Sequence, residues 1–332
     1  MTTVKKSTMR AMGQLIRSIL CAGVIVSIST GCNSWIYDDL SGCPNELVFQ
    51  FYRQSPCETQ PYYPNNIREV RVFAFNKEQV LTEQYSISNV TLRGDYHFAT
   101  TISQQGDYSF VAWGAESFDD YHFSQYQKGV TTRSELLLAL QRQGSNSDGK
   151  LKPLYFSQLF KPVCLCYPEG AGTHRDTVAL NMQELTNRVN LTVYGLAANK
   201  EYRIFIEDNN DVYDFNGQIV EGRPTFEYLS PQDLNSTVYR CRFTTLKLEE
   251  HRGTRLVIYD ETEEKEVFST LLVDELIMYR GIFGEPPYSL ECDHDFNVLV
   301  WLEPSAVGTG TYMAVQAVVN DWNVVKQVVT PY

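Results

Sequence analysis

Apolar and polar residues alternate with a period of two along most of the chain. Leu47, Phe49 and Phe51 occupy every second position of the first such run, a pattern typical of a strand with one buried face. The run IREVRVFAFNKEQVLTEQYSI predicts two strands joined by a turn, and GDYSFVAWGA predicts a further strand rich in aromatic and β-branched residues. The first half of the chain is therefore predicted to be mostly β-structure.

One segment of the first half carries the signals of a helix instead. In TTRSELLLALQRQG, Thr131 or Thr132 supplies an N-cap and Gly144 supplies a stop. The polar stretch GSNSDGK that follows has no apolar anchor and is typical of a loop. We therefore predict a short helix between strands at this point.

A second strand-rich block follows an irregular connection between residues 161 and 176, which contains two prolines and two glycines. It begins at NRVNLTVYGL and continues through six strand-like runs: YRIFIED, VYRCRFTTLKL, TRLVIYDE, KEVFSTLLV, FNVLVWLE and YMAVQAVVNDWNVVKQVV. Many short strands in two blocks predict an all-β chain of two antiparallel β-sandwiches, residues 46–183 and 184–332, with the short helix inserted in the first.

The first 31 residues have the layout of a secretory signal peptide. Four basic residues precede an apolar run at positions 19–28, which is shorter than the ~20 residues needed to span a bilayer. The triplet STG directly before Cys32 resembles a bacterial lipobox, although Ser29 stands where that motif usually has Leu. Cys32 is therefore predicted to carry lipid and to begin the mature protein, with residues 32–45 as a linker. Secretion with a cleaved signal and an uncleaved anchor are the alternatives.

The charge of the chain argues against nucleic-acid partners. The formal net charge is −12, and the part after the leader carries −16, because the leader holds four basic residues and no acidic one. Binding to phosphate backbones needs a basic surface. Nucleic acids are therefore not expected among the partners.

A search for catalytic and metal-binding motifs returns little. The sequence has no G-x-S-x-G, H-E-x-x-H or Walker A motif and no G-x-G-x-x-G after a strand, and its five histidines lie in different segments. The pair Cys164 and Cys166 lacks the second ligand pair of a zinc site. The acidic stretch ECDHDF at 291–296 is interpreted as a solvated turn rather than a cation site. We therefore predict no enzyme activity, no cofactor and no metal.

Six cysteines follow Cys32, and an even number in an exported protein permits disulfides. Cys43 with Cys57 would close a short loop that contains proline, but the spacing leaves the pairing open. Cys292 lies near His294, yet in a segment with the composition of a turn. We expect these cysteines to be structural rather than catalytic.

Several of these features together resemble FimB-type fimbrial anchor subunits of Bacteroidales-type bacteria. The resemblance is carried by CNSWIYDDLSGCP from Cys32 to Pro44, by VRVFAFN, GDYSFVAWG and NRVNLTVYGL, and by the terminal VVNDWNVVKQVV. In that family a lipidated cysteine precedes an acidic Y-D-D-L-S-x-C segment and the first strand. The resemblance covers essentially the whole mature chain.

The resemblance implies two transthyretin-like β-sandwiches in a lipoprotein of the outer membrane, facing outward and holding the base of a fimbria. In related stalk subunits a protease removes the first strand, and the C-terminal strand of a neighbouring subunit fills the groove by strand addition. An anchor keeps its first strand, here residues 46–52 with Leu47, Phe49 and Phe51 facing the core, so polymerisation ends there. Arg53 follows this strand directly, where an arginine-directed protease would cut.

The resemblance also makes the C-terminal segment the candidate strand for contact with a fimbrial stalk subunit. Its apolar anchors are Trp322, Val324, Val325, Val328 and Val329. The alternative is that these residues complete the second sandwich.

Two other functions stay open on the sequence alone. A surface glycan-binding lipoprotein would use aromatic loops such as PYYP at 61–64 and FDDYHFSQYQ at 118–127 to stack sugars. A hydrolase would need a convergent pair of carboxylates. The glycan-binding lipoprotein is the main alternative to the anchor.

Overall fold

The computed structural model describes residues 46–102, 104–147, 150–159, 161–166, 174–230, 232–235, 238–273, 289–305, 310–320 and 322–324. The chain divides into two units, one of Met1–Glu46 with Tyr167–Arg175 and one of Leu47–Cys166 with Asp176–Tyr332. In the described part of the first unit, the Glu46 N–H donates to the His174 carbonyl over 2.7 Å, and Arg175 forms an ion pair with Glu46. The second unit contains nearly all of the described structure.

The prediction of an all-β chain is confirmed, since the described residues form 23 strands. In the first half the strands are β1 (Glu46–Tyr52), β2 (Glu69–Phe75), β3 (Leu81–Ile87), β4 (Phe98–Thr100), β5 (Gly106–Ala115), β6 (Tyr121–Phe123), β7 (Leu137–Leu140), β8 (Asn146–Ser147), β9 (Leu154–Gln158), β10 (Val163–Leu165), β11 (Arg175–Asn181) and β12 (Gln183–Glu184). The second half contains β13 (Thr186–Tyr194), β14 (Tyr202–Asp208), β15 (Val212–Asp214), β16 (Phe226–Leu229), β17 (Gln232–Asn235), β18 (Val238–Leu246), β19 (Arg255–Asp260), β20 (Lys265–Leu271), β21 (Asp295–Pro304), β22 (Tyr312–Val319) and β23 (Trp322–Val324).

Two sheets of the first half face each other. One has the order β11-β1-β4, and the other has the order β12-β9-β5-β2-β3, with β10 also paired to β5. Phe49 of β1 packs edge-on against Phe110 of β5, with ring centroids 5.2 Å apart. On the opposite face of β5, Trp113 lies 5.7 Å from Phe215. Strand β5 is therefore buried on both faces, which explains its nearly unbroken apolar sequence.

Two further sheets form the layers of the second half, in the orders β17-β18-β13-β21-β22-β23 and β20-β19-β14-β16-β8. Val189 and Leu191 of the first layer and Ile204 and Ile206 of the second belong to one buried cluster, so alternate residues of each strand meet between the layers. Strand β13 pairs antiparallel with β18 and parallel with β21. The expectation of purely antiparallel sheets is therefore wrong at this pair, and also where β8 runs parallel to β16.

Strands from both halves of the sequence share sheets. The small sheet β15-β7-β6 joins β15 from the second half to β7 and β6 from the first, and β8 extends the sheet of β16. The buried cluster likewise runs from Phe73 to Val319 without a break at Glu184. The division of the chain into sandwiches at residues 183 and 184 stays a prediction.

The helix predicted between Thr131 and Gly144 is absent at that position. The structure has a 3₁₀ turn at Arg133–Glu135, followed at once by β7. The cap is present, because the Thr132 N–H donates to the Glu135 carboxylate over 2.7 Å. The leucines after the cap lie on β7, which pairs with β6 and with β15. Pairing to these neighbours outweighs the helical preference of the segment.

Candidate functional site

Strand β1 lies inside a sheet, with a hydrogen-bonded neighbour on each side. Its register with β4 pairs Leu47 with Thr100 and Phe49 with Phe98. On the other side β11 is its neighbour, and just beyond β11 the Met182 N–H donates to the Tyr52 carbonyl over 2.7 Å. Both edges of the strand are therefore occupied.

The side chains of β1 supply much of the local core. Leu47, Phe49 and Phe51 are each no more than 1% exposed. The Phe49 ring contacts Tyr85 at 6.0 Å between centroids as well as Phe110. On the opposite face of the strand Val48 is also buried, whereas Gln50 is exposed. Burying a phenylalanine side chain contributes about 1.5–3 kcal/mol, so the strand is held by side-chain packing as well as by its hydrogen bonds.

The chain leaves β1 through a fixed turn at Arg53. Its backbone forms a two-way bridge with Tyr62, with N–O distances of 2.9 and 2.8 Å. The Arg53 guanidinium is buried against the Tyr62 ring, 5.1 Å from its centroid, and donates to the Tyr62 hydroxyl. The next residue, Gln54, exchanges two hydrogen bonds of 2.9 Å with the Asn181 side chain. The arginine predicted as a cleavage point therefore lies in ordered, hydrogen-bonded backbone.

A disulfide joins the loop after β1 to the segment before β21. Cys57 and Cys292 are bonded across 235 residues of sequence, with their Cα atoms 6.0 Å apart. The suggestion that Cys57 pairs with Cys43 is therefore wrong. A pairing over this distance depends on the three-dimensional fold, and the spacing of cysteines along the chain does not contain that information.

His294, which was predicted to lie in a solvated turn, is buried. Its Nδ1 atom lies 3.1 Å from the Thr186 carbonyl, and burial lowers the pKa of its imidazole. Beside it, Arg188 of β13 binds the carboxylates of Glu184 and Asp295. The Arg188 hydrogen bond lowers the pKa of the Asp295 carboxyl. These residues join β12, β13 and β21, and their charges are satisfied by one another.

Glu184 and His294 line a cleft of about 510 Å³ that also takes in the loop after β1. His294, Glu58 and Glu291 are among its walls. Among the described residues, one group could hold a metal by its spacing, namely Asp107 with Cys164 and Cys166. Its two sulfurs are joined in a disulfide, so they are not thiolate ligands. In the aromatic loop at 118–127, Asp119 forms an ion pair with the Lys152 ammonium, and Asp120 accepts a hydrogen bond from the Lys152 backbone N–H.

The described C-terminal part of the chain consists of strands β22 and β23, which extend the sheet beyond β21. Strand β22 pairs with β21, and Val319 at its end is buried in the common core. Strand β23, which contains Trp322 and Val324, pairs with β22 at the edge of this sheet. Of the other predicted site residues, Cys32, Val325, Val328 and Val329 lie outside the described residues.

The sequence pattern grouped the apolar residues of β1 on one strand face, but it did not predict the contacts that fix the loop after β1. The bridge between Arg53 and Tyr62 and the pair Cys57–Cys292 have no local pattern, although the aromatic PYYP run after an arginine offered a weak signal.

Across the described residues, no helix is long and apolar enough to cross a membrane.

Comparison with known proteins assigns the chain to a family. The model of the fimbrillin-A associated anchor proteins Mfa1 and Mfa2 matches residues 40–328. The minor fimbrium anchoring subunit Mfa2 of Porphyromonas gingivalis is 28% identical over 295 residues, which cover 88% of this chain and 89% of that protein.

Solved structures agree with the sequence match. The fimbrial anchor protein Mfa2 from Porphyromonas gingivalis superposes with a TM-score of 0.75 at 26% identity, covering 85% of this chain and 99% of that one. A polysaccharide-binding candidate from Bacteroides thetaiotaomicron shares the fold, with a TM-score of 0.72 at 21% identity over 85% of this chain and 98% of its own. The family match spans most of the sequence and agrees with the predicted resemblance, and the chain therefore belongs to the fimbrillin-A associated anchor proteins.

Proposed function

We propose that this protein is a lipid-tethered fimbrial anchor of the outer membrane, which binds a stalk subunit and ends its polymer. The observation that carries the proposal is the position of β1, buried in its sheet between β4 and β11. A subunit whose first strand stays in place has no vacant groove to accept the strand of another subunit.

The tether in this proposal is Cys32. Acyl chains contribute about 0.8 kcal/mol for each buried CH₂ group, so two or more chains hold a protein firmly to a bilayer. Electrostatic attraction cannot replace the lipid in holding the protein to the membrane, because the part of the chain after the leader carries a net charge of −16 and is repelled by anionic lipids. We therefore assign membrane attachment to the lipid alone.

The partner strand in this proposal is the C-terminal segment beyond β22. Its apolar residues include Val325, Val328 and Val329, and an exposed tail of this composition is prone to aggregate unless it is paired. Strand β23 is only three residues long and lies at the edge of its sheet. A short edge strand can leave its sheet at low cost and pair with a stalk subunit instead.

The tether is tested by Cys32→Ala, with Cys21→Ala as the matched control inside the leader. We expect Cys32→Ala to lose acyl labelling and to leave the membrane fraction or stay unprocessed, while Cys21→Ala behaves as the wild type. Retention and labelling of Cys32→Ala would contradict the assignment of the lipid.

The retained strand is tested by the double variant Phe49→Ala with Phe51→Ala. Each change is expected to cost about 3–5 kcal/mol, which loosens β1 and lets the sheet accept a labelled C-terminal strand peptide from a stalk subunit. The control is Gln50→Ala on the exposed face of the same strand, which should neither unfold nor take up peptide. The measurements are urea denaturation and gel filtration with the peptide.

If the double variant unfolds, the milder Phe49→Leu replaces it in the same assay. A folded variant with a measurably weakened β1 that still refuses the peptide contradicts the idea that β1 closes the groove. Uptake of the peptide by the unmodified protein contradicts it equally.

A further inference from the structure

A second, smaller groove runs along the outer face of β1. Its volume is about 360 Å³, which is at the lower end of the range for small-molecule sites. Its floor includes Gln50 and Tyr52 of β1, and Tyr63 and Tyr96 come from the loops that follow β1 and precede β4. The cleft at His294 is separate, and the two grooves share Gln54.

Tyr63 stands at the groove as a partly exposed aromatic wall. Its side chain is 38% exposed, although it lies against Gly94. A Cβ atom at position 94 would come within 3.3 Å of the Tyr63 hydroxyl oxygen. Glycine at this position therefore leaves room for the ring and keeps the groove open.

Tyr96 supplies a second aromatic surface. Its ring packs on Phe51, with centroids 6.5 Å apart, so the core residue of β1 sets its position. Burial raises the pKa of the Tyr96 hydroxyl. At neutral pH this phenol keeps its proton and can donate a hydrogen bond.

The rest of the lining mixes apolar residues (Phe51, Pro61 and Ala179) with polar ones. Gln50 and Gln54 carry side-chain amides and Arg93 a guanidinium, whereas none of the described lining residues is an aspartate or glutamate. Gln54 Nε2 already donates to the Glu58 carbonyl over 3.1 Å and Arg93 pairs with Asp95 over 3.5 Å, so the Gln54 amide oxygen and the other guanidinium N–H groups remain for a ligand. Pyranose rings present an apolar C–H face and a rim of hydroxyls, which match an aromatic surface beside amide donors and acceptors. Glycoside hydrolysis generally requires a pair of carboxylates, and the described lining of this groove supplies none.

We propose that this groove binds a short stretch of a neutral or anionic saccharide chain. Tyr63 and Tyr96 stack on sugar rings, and Gln50, Gln54 and Arg93 bind hydroxyl or acidic groups. Because β1 forms the floor of the groove, the site exists only while β1 stays in its sheet. The anchor would thus contact surface glycan through the same strand that closes its polymerisation groove.

The test uses the folded chain without its leader and five probes: maltotriose, cellotriose, chitotriose, mannotriose and a chondroitin sulfate disaccharide. We expect at least one to bind in titration calorimetry. Tyr63→Ala and Gly94→Val should each weaken that binding by about tenfold or more, since one removes the stacking surface and the other pushes on it. Thermal melting checks that each variant is folded.

The matched control is Tyr126→Ala, because Tyr126 is 37% exposed and lies in the other aromatic loop. It should leave the affinity unchanged. The proposal is overturned if no probe binds, if binding survives both groove variants, or if it is lost in Tyr126→Ala. Binding of a peptide of residues 323–332 in the groove, with no sugar bound, would assign the groove to a peptide and overturn it as well. These results are independent of fimbrial retention in cells, which tests the anchor role.

Discussion

His294 makes the stability of this protein depend on pH near neutrality. Its imidazole is buried, and burial lowers its pKa from the ordinary value of 6.5. Below pH 6.5 the unfolded chain takes up a proton at this position before the folded protein does. The unfolded state then binds more protons, so the stabilisation is complete above pH 6.5 and is lost as the pH falls from there toward the lower folded pKa.

Replacement of His294 is therefore expected to reduce the loss in the free energy of unfolding that occurs as the pH falls below 6.5. Urea denaturation of the wild type at pH 7.5 and pH 5.5 should differ by an amount to which His294 contributes on the order of 1 kcal/mol. In His294→Asn that contribution should vanish. His251→Asn is the control, since the His251 side chain is 89% exposed, and it should keep the wild-type difference. An unchanged difference in His294→Asn would contradict the assignment.

The sequence predicted some residue environments well and others not at all. Burial of Leu47, Phe49 and Phe51 follows from their alternation, because strand side chains change face at every residue. His294 was placed in solvent because its sequence neighbours are acidic. Its actual neighbour in space is Thr186, which is 108 residues away, and no local pattern predicts such a contact.

At the scale of elements, the segment after Thr132 shows why one strand was mistaken for a helix. The capping signal was real, but it caps a single 3₁₀ turn. Leu136, Leu138 and Leu140 are buried at every second position, which is the period of a strand. Leucine favours helices, so propensity and period disagreed, and the neighbouring strands decided the outcome.

The turn after β13 depends on a glycine for two separate reasons. Gly195 has a φ of +90°, and a Cβ atom there would lie 2.0 Å from the Leu302 carbonyl oxygen of β21. Gly222 also has a positive φ, of +74°, but nothing lies within 4 Å of its Cβ position. Alanine at position 222 would carry only the free-energy cost of a left-handed backbone, whereas alanine at position 195 would add a steric clash with β21.

Gly222→Ala should therefore cost about 1–2 kcal/mol, the ordinary price of a left-handed residue. Gly195→Ala should cost clearly more, on the order of 4 kcal/mol, because β13 and β21 must also move apart. Thermal or urea denaturation of the two variants makes the comparison. Equal losses would mean that the end of β13 can shift freely and that its parallel pairing with β21 is loose.

At the scale of the whole molecule, the disulfides Cys57–Cys292 and Cys164–Cys166 differ in the length of chain that they close. Cys57–Cys292 closes 235 residues, and Cys164–Cys166 closes two. A disulfide that closes a longer loop removes more conformational entropy from the unfolded chain. Cys57–Cys292 is therefore expected to contribute more to the free energy of unfolding. Replacing both members of Cys57–Cys292 by serine should cost about 5 kcal/mol, against about 1 kcal/mol for the same change at Cys164–Cys166.

Urea denaturation of the two serine pairs measures this difference directly. Each pair serves as the control for the other, because both remove one disulfide and add two hydroxyls. If the losses are equal, strain or residual structure outweighs loop length in this chain. The family assignment does not depend on the result, since it rests on the match over residues 40–328.

The long disulfide also determines how the protein would carry tension. In the proposed anchor the membrane pulls on the N-terminal side of β1, and the fimbria pulls on the segment beyond β22. A covalent path between them crosses from Cys57 to Cys292 and bypasses the chain between these positions, which are 235 apart in sequence. The sheets within that interval are then shielded from the pull.

Single-molecule stretching between residues 46 and 324 would test whether the force passes through the Cys57–Cys292 disulfide. With the disulfide intact, the extended chain should be shorter by about 800 Å than in the Cys57→Ser, Cys292→Ser variant, at 3.3–3.6 Å for each residue withheld. A tether of this kind under flow would lengthen little when the anchor yields, and the bulk of the protein would stay folded while β1, β21 and β22 bear the load.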